Sequence, residues 1–559
     1  MSKARKVVVI GGVAAGPKTA SKVGRLDPEA EITLLEKGDF LSYAGCGLPY
    51  YVSGDIKEQQ ELLATPAGTI RDALFFEKVK NIRVLTRSEA LAIDRKGKRV
   101  RYKNHARGEE VWLDYDALVL AAGATPIVPA LPGVARQNVF TLHNIPDAEG
   151  VKALVVGGRK PKAVIVGGGL IGVETAEALA ARGCQVTLVE MLPQILNLLD
   201  WEMAQQVQAH MEGKGVTVLT GTQVTAIEGN GRVEAVLTGQ GRLDADLVVM
   251  AVGVRPNVGL AHAAGIALGT TGAIRVDQAL RTSDPDIYAV GDCTENTHLV
   301  TGKPCFVPLG STANKHGRVA AINICGGNET FPGVLGSMVC KVFDFCAART
   351  GLSESEARQH GYDAVTVLAP GPDRAHYMPA AKLLLMKMVV ERGTRRILGL
   401  QAAGPGEGAK RNDVAVMAIT AGMTVDQLAK ADLSYAPPFS PAIDNIINAA
   451  DVARNKLDGH MKGVTPMQVR EKQERGDAFL FLDVRSPAEF QAMRLPGSVN
   501  IPLGALRSRL GELDKDQEII AFCKISLRGY HAALILEAAG FANVKVMDGG
   551  VAMWPYEKA

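Results

Sequence analysis

At 559 residues the chain exceeds what one hydrophobic core organises, so three or four domains are expected. Its 47% hydrophobic and 22% charged residues exclude large-scale disorder, and a formal net charge of +3 gives no electrostatic case for nucleic acid or a membrane surface. The apolar run Val7 to Ile10 is too short for a signal-peptide core and no later stretch would span a bilayer, which points to a soluble cytoplasmic protein.

The first element in chain order is a β-branched strand, Lys6 to Ile10, that ends in Gly11 and Gly12 and runs through Gly16 into a helix. A second strand, Ile32 to Leu35, ends at Glu36, with Lys37 and Ser42 just beyond it. This is the pattern of a dinucleotide site, with the pyrophosphate on a helix N-terminus and the acid on the ribose hydroxyls. Val13 stands where the middle glycine of GxGxxG usually falls, so strand, turn, helix and strand-end acid carry the assignment together.

A second unit is more regular. Ala163 to Val166 precede Gly167, Gly169 and Gly172, and the following strand, Gln185 to Val189, ends at Glu190. A carboxylate there accepts from a ribose diol and repels a 2′-phosphate, and Met191, Leu192 and Pro193 supply no arginine, so NADH is favoured over NADPH. The segments Tyr115 to Pro126 and Asp246 to Pro256 read alike, each an acid, an apolar strand and a small-residue turn, at Gly123 and Gly253. Asp292 follows a further buried strand and, with Ala313, completes the candidate set for the first nucleotide.

The eight cysteines (Cys46, Cys184, Cys293, Cys305, Cys325, Cys340, Cys346 and Cys523) contain no CxxC pair, so neither a disulfide framework nor a metal site is expected. Two stand out. Cys46, in Ser42-Tyr-Ala-Gly-Cys-Gly-Leu-Pro-Tyr-Tyr51, follows the Glu36 strand closely, and a thiol at a helix N-terminus beside the first nucleotide site is expected to titrate below its ordinary range. It has no second cysteine four or five residues away, which leaves a sulfenic acid or a mixed disulfide with a small thiol as its redox forms. Cys523 lies on a loop between the strand Glu518 to Phe522 and a helix, where inward-pointing amides stabilise sulfur anions.

The order of the two nucleotide units, the return segments and Asp292 resembles the two-dinucleotide-fold flavoprotein disulfide reductases over residues 1 to about 455. The resemblance implies FAD on the first unit, NADH on the second and an interface domain that makes a homodimer. The wording around Cys46 is similar to the coenzyme A disulfide reductase branch, although Gly45 stands where that branch usually has asparagine and Leu170 where an aromatic residue often covers the flavin. Within that branch Tyr435, in Tyr-Ala-Pro-Pro, matches a tyrosine that reaches the partner subunit's redox cysteine. Tyr377 matches the first residue of a Tyr-Tyr-Pro element whose second tyrosine is Met378 here. Lys22, Arg25 and Lys78 match candidate contacts to the phosphates of coenzyme A.

Residues 464 to 559 resemble a rhodanese domain through Asp483-Val-Arg485, the Pro496-Gly497 turn, the loop from Cys523 to Arg528 and Gly549-Gly-x-x-x-Trp554, with Ser526 in place of the usual loop glycine. The expected fold is therefore α/β: a flavin domain (1–148 and 253–330), an NADH domain (149–252), an α+β dimerisation domain (331–455), a polar tether (456–463) and an α/β rhodanese domain (464–559). The expected activity is NADH-dependent reduction of persulfides, polysulfides or coenzyme A disulfide at Cys46, with Arg528 assisting sulfur transfer at Cys523. The rivals are an NADH peroxidase or oxidase, which also needs one cysteine, and a redox-sensing scaffold without turnover.

Overall fold

The computed structural model describes residues 4–158 and 160–559, which fall into two compact units. One comprises the chain up to Pro193 with Gly215–Val334, the other Gln194–Lys214 with Leu335–Ala559.

The first unit holds two parallel five-stranded sheets. In one, the strands Ile287–Ala289, Ala117–Leu120, Lys6–Ile10, Glu31–Leu35 and Ile82–Leu85 lie side by side in that order; in the other, Thr217–Leu219, Gln185–Val189, Lys162–Val166, Leu247–Met250 and Val139–Phe140 do the same. Their apolar runs suit strands covered on both faces, and Val7, Val9, Leu34 and Val119 are fully buried. The sheet order reverses beside the strand that feeds each glycine turn, which opens a ligand crevice at the strands' carboxyl ends. The two return segments pair antiparallel, Val254–Pro256 with Ala124–Pro126. The second sheet already takes an edge strand at Val139–Phe140, upstream of the boundary expected at residue 149.

The second unit holds an antiparallel sheet built on the path Met338–Val342, Phe345–Gly351, Ile397–Gly404, Leu383–Glu391 and Ala364–Leu368, and a parallel sheet ordered Gly463–Val464, Val544–Met547, Glu518–Phe522, Phe479–Asp483 and Ser498–Asn500. The helix Trp201–Gly213, which lies within the range expected for the NADH domain, belongs to this unit. It is anchored there by charge: Lys387, only 1% exposed, lies 2.5 Å from Glu202, 2.8 Å from Glu354 and 3.1 Å from Asp200.

The tether reading needs correction. The helix Asn445–Leu457 runs through the first residues of the polar stretch, Lys456 pairs with buried Asp548, and Met461 sits in the C-terminal core. A lysine that closes an ion pair has the same letter as a solvated one, so composition alone reads the segment as a linker. Only 458–462 are left between helix and strand.

Candidate active site

The two glycine turns are built alike. Gly11 has φ +112 and Gly167 φ +109, a region that favours glycine, and a Cβ on either would collide with a neighbouring carbonyl, of Ala121 and Ala251. A Cβ on Gly16 or Gly172 would strike the carbonyl of Gly11 or Gly167, so only glycine lets each helix start this close to its strand. The helices Ala15–Leu26 and Leu170–Ala181 carry no side-chain cap and no acid in their first turn, which leaves their leading N–H groups available to an anion. Gly169 faces open space, while Glu36 and Glu190 are aligned by backbone donors: Gly12 and Gly38 donate to Glu36 at 2.7 and 2.6 Å, Gly168 and Leu192 to Glu190 at 2.6 and 2.8 Å. Both crevices therefore fit a dinucleotide, the first at Gly11, Gly12, Gly16 and Glu36 and the second at Gly167, Gly169, Gly172 and Glu190. The returns end at Gly123 and Gly253, both at positive φ.

Ser42 brings the cysteine segment onto the first turn, its N–H donating to the Gly12 carbonyl at 2.8 Å from a backbone at φ 48. Lys37, one residue past Glu36, is exposed. Cys46 then lies in a tight turn, Gly45–Gly47, that leads into the helix Leu48–Ser53. A Cβ on Gly310, the first residue of the helix Gly310–Ile324, would stand 3.8 Å from its sulfur. Ala313 lies one turn into that helix, and a Cβ on Gly291 would meet Ala15 at 3.0 Å and Ala313 at 3.5 Å, so the starts of two helices converge on the Gly291-Asp292 turn.

Two groups here, His316 and Glu174, carried no mark in the sequence. His316 is fully buried, and its Nδ1 accepts from Gly291 N–H at 3.2 Å; burial drops its pKa to about 4 and keeps the ring neutral. Glu174 is pushed up to about 7, first by burial and then by Glu177, and burial raises Asp292 to about 6. Both carboxyl groups act on Cys46. The expected lowering of its pKa is therefore overturned: although the thiol is open to solvent, the surrounding protein strips part of its hydration, and Glu174 and Asp292 add to the upward shift.

Tyr435 lies in the second unit on a proline-rich loop closed by Ser440, whose hydroxyl donates to the Ser434 carbonyl at 3.0 Å, and by Arg374, which donates to the Pro438 carbonyl at 3.2 Å. Tyr377 lies beside it, and the Tyr435 hydroxyl raises the Tyr377 pKa. Tyr435 and Arg374 line a cavity of about 520 Å³ with Glu407, Lys410 and Phe439. Lys22 and Arg25 sit on the helix Ala15–Leu26 and Lys78 on the helix Ala73–Lys80, where it pairs with Glu77 at 3.0 Å.

Cys523 directly follows the strand Glu518–Phe522 and is 1% exposed. Its carbonyl accepts from Val551 N–H at 2.9 Å, and a Cβ on Gly550 would collide with the same oxygen. Ser526 adopts the φ of 75 that suits the glycine it replaces, and its hydroxyl donates to the Met547 carbonyl at 3.0 Å. The Arg528 guanidinium lies near enough to Cys523 to interact with its sulfur, and the buried pair Asp483–Arg485, at 2.6 Å, braces the neighbouring strand end.

Two nucleotide crevices with an isolated cysteine over one of them, joined to a sulfur-carrier-type loop, define a redox protein of sulfur chemistry. Residues 5–313 match the family model "Pyridine nucleotide-disulphide oxidoreductase", residues 338–447 that family's dimerisation domain and residues 465–556 the "Rhodanese-like domain". The chain belongs to the pyridine nucleotide-disulphide oxidoreductase family, which uses FAD and NAD(P)H. It is 39% identical over 451 residues to a Pyrococcus abyssi protein named NAD(P)H sulfur oxidoreductase (CoA-dependent), covering 80% of this chain and 98% of that one. A solved NAD-dependent persulfide reductase from A. fulgidus superposes with a TM-score of 0.94 at 46% identity, covering 98% of this chain and 100% of the other. The reduced Bacillus anthracis CoADR-RHD structure gives 0.93 at 38% identity, covering 99% and 98%. The chain is thus an oxidoreductase with a fused rhodanese domain. No helix of the described residues is long and apolar enough to cross a membrane.

Proposed function

We propose that the protein is a cytoplasmic, homodimeric NADH-dependent reductase that cleaves sulfur–sulfur bonds of persulfides, polysulfides or coenzyme A disulfide at Cys46 and handles sulfane sulfur at Cys523. One observation carries this reading: a single thiol, open to solvent, stands where the first glycine turn, the Asp292 turn and the Gly310 helix start converge. The names of the similar proteins support the substrate class.

FAD held at the first unit supplies the passage of an electron pair from NADH to sulfur. Cys46 as thiolate attacks one sulfur of the substrate; the sulfur–sulfur bond breaks, the leaving sulfur takes its electron pair, and Cys46 remains in a mixed disulfide or persulfide. Two electrons cleave that bond, restore the thiolate and release the second sulfur, which takes up a proton. Tyr435 of the partner subunit donates a proton to the leaving thiolate. Tyr377 holds the Tyr435 hydroxyl, and Lys22, Arg25 and Lys78 bind the phosphates of coenzyme A. Exposed Tyr377, Met417, Tyr435, Phe439 and Ile443 in the dimerisation domain are the apolar surface a second copy would cover. None of the eight cysteines forms a disulfide, which suits a reducing compartment.

The test is a comparison of NADH oxidation with coenzyme A disulfide, a low-molecular-weight persulfide, peroxide and oxygen. Faster turnover on a sulfur substrate is expected. Faster turnover on peroxide or oxygen would move the assignment to a peroxidase or oxidase, and yellow protein that oxidises NADH with none of them would make it a scaffold.

A further inference from the structure

Beside Cys523, Arg528 is held by a partner that sequence matching had not marked. Its Nη1 and Nη2 donate to the two carboxylate oxygens of Glu489 at 2.8 and 2.7 Å. Glu489 is fixed from behind, its Oε2 accepting from the Ser486 N–H at 3.1 Å and hydroxyl at 3.0 Å within the capping box that opens the helix Pro487–Ala492. Arg528 holds this carboxyl down at about 2, so it is ionised throughout the neutral range. A cap needs one oxygen, and Oε2 serves it. Oε1 is directed to the guanidinium.

We propose that Glu489 is a positioning residue for sulfur transfer, holding the Arg528 guanidinium against Cys523 so that its charge faces the sulfur and not the solvent. The inference rests on the reading that Cys523 carries sulfane sulfur. In that step the Cys523 thiolate attacks the outer sulfur of a persulfide donor, the donor thiolate leaves with the bonding pair, and Cys523 becomes a persulfide anion. The negative charge occupies one small region before and after, so a single fixed cation serves both states. Arg528 is the second residue of the helix Leu527–Ala538 and is partly exposed; without a bidentate partner its long side chain regains the rotamers that lead to water.

The sign of the effect separates positioning from mere charge. Glu489 is an anion farther from the sulfur than the guanidinium it holds. As a bystander charge it would disfavour the thiolate, and its removal would lower the pH at which Cys523 becomes reactive. As a positioning residue its removal releases the nearer cation, and that pH rises.

Full-length, reduced protein is pulse-labelled with methyl methanethiosulfonate across a pH series, and the peptides bearing Cys523 and Cys46 are weighed separately. Glu489→Ala is expected to raise the labelling midpoint at Cys523 by about one pH unit, about tenfold slower labelling below it, with Cys46 unmoved. Arg528→Ala should do the same, and the double variant no more than Arg528→Ala alone. Should Glu489→Ala fail to fold, Glu489→Asp, which withdraws the carboxylate by one methylene, decides by a smaller shift in the same direction. An unchanged or lowered midpoint in the folded variant, or shifts that add in the double variant, overturns the proposal. Labelling needs neither NADH nor a sulfur donor, so failure of Cys523 to carry sulfur would strike the functional reading and leave this result standing.

Discussion

Cys46 and Cys523 each precede a helix, yet their surroundings are opposite. Cys46 is open to solvent and faces Glu174 and Asp292, which raise its pKa together with partial desolvation. Cys523 is closed off, with Arg528 near its sulfur and the Gly550 turn against its carbonyl. The contrast separates two ways of using sulfur. At Cys46 the local protein favours the neutral thiol, so its anion is best made by reduction at the moment it is needed. At Cys523 the loop brings a guanidinium up to the sulfur.

The largest expected effect comes from removing one sulfur and sparing the other. Cys46→Ser should lower NADH-dependent reduction on the order of a thousandfold or more, while sulfur loading of Cys523 from polysulfide, read by peptide mass, persists. Loss of both would mean that the two sulfurs are not separate sites. Next is the charged anchor of the second unit. Lys387→Met leaves buried Asp200 and Glu202 and half-buried Glu354 without their cation, and urea unfolding should show a loss of about 3–5 kcal/mol.

If Tyr435 acts as proposed, Tyr435→Phe should slow turnover about a hundredfold with little change in Cys523 loading. The smallest effect sharpens the electrostatic contrast. Glu174 titrates at about 7, so above that pH it is an anion that raises the Cys46 pKa. Glu174→Gln removes that charge, and the labelling midpoint of Cys46 should fall by less than about one pH unit, with Cys523 unmoved.

Much of the framework was legible because it is contiguous. Strand, glycines, helix and strand-end acid occupy some thirty residues in each nucleotide unit, and local sterics leave few alternatives at Gly11, Gly16, Gly167 and Gly172. The loop from Cys523 to Arg528 was readable for the same reason. What escaped reading depends on contacts between distant segments. Gly310 approaches Cys46 across more than 260 residues, and Glu174 acts on it from the other nucleotide unit. The thiol's upward shift follows from those neighbours, which a helix-end argument from local sequence omits. Glu489 had a local signal, the Ser486-x-x-Glu capping pattern, but its second oxygen, bonded to Arg528 across 39 residues, did not. Lys456 likewise reads as solvated until Asp548 is seen beside it.

The most direct test of the central claim is an anaerobic NADH titration of the protein loaded with a persulfide, followed by mass measurement of the Cys46 peptide at each point. One added sulfur or thiol on Cys46 that disappears as one equivalent of NADH is consumed, with sulfide or thiol released in the same proportion, is the predicted result. NADH consumption with persulfide at the normal rate while Cys46 never carries an adduct, or in the Cys46→Ser variant, would contradict it.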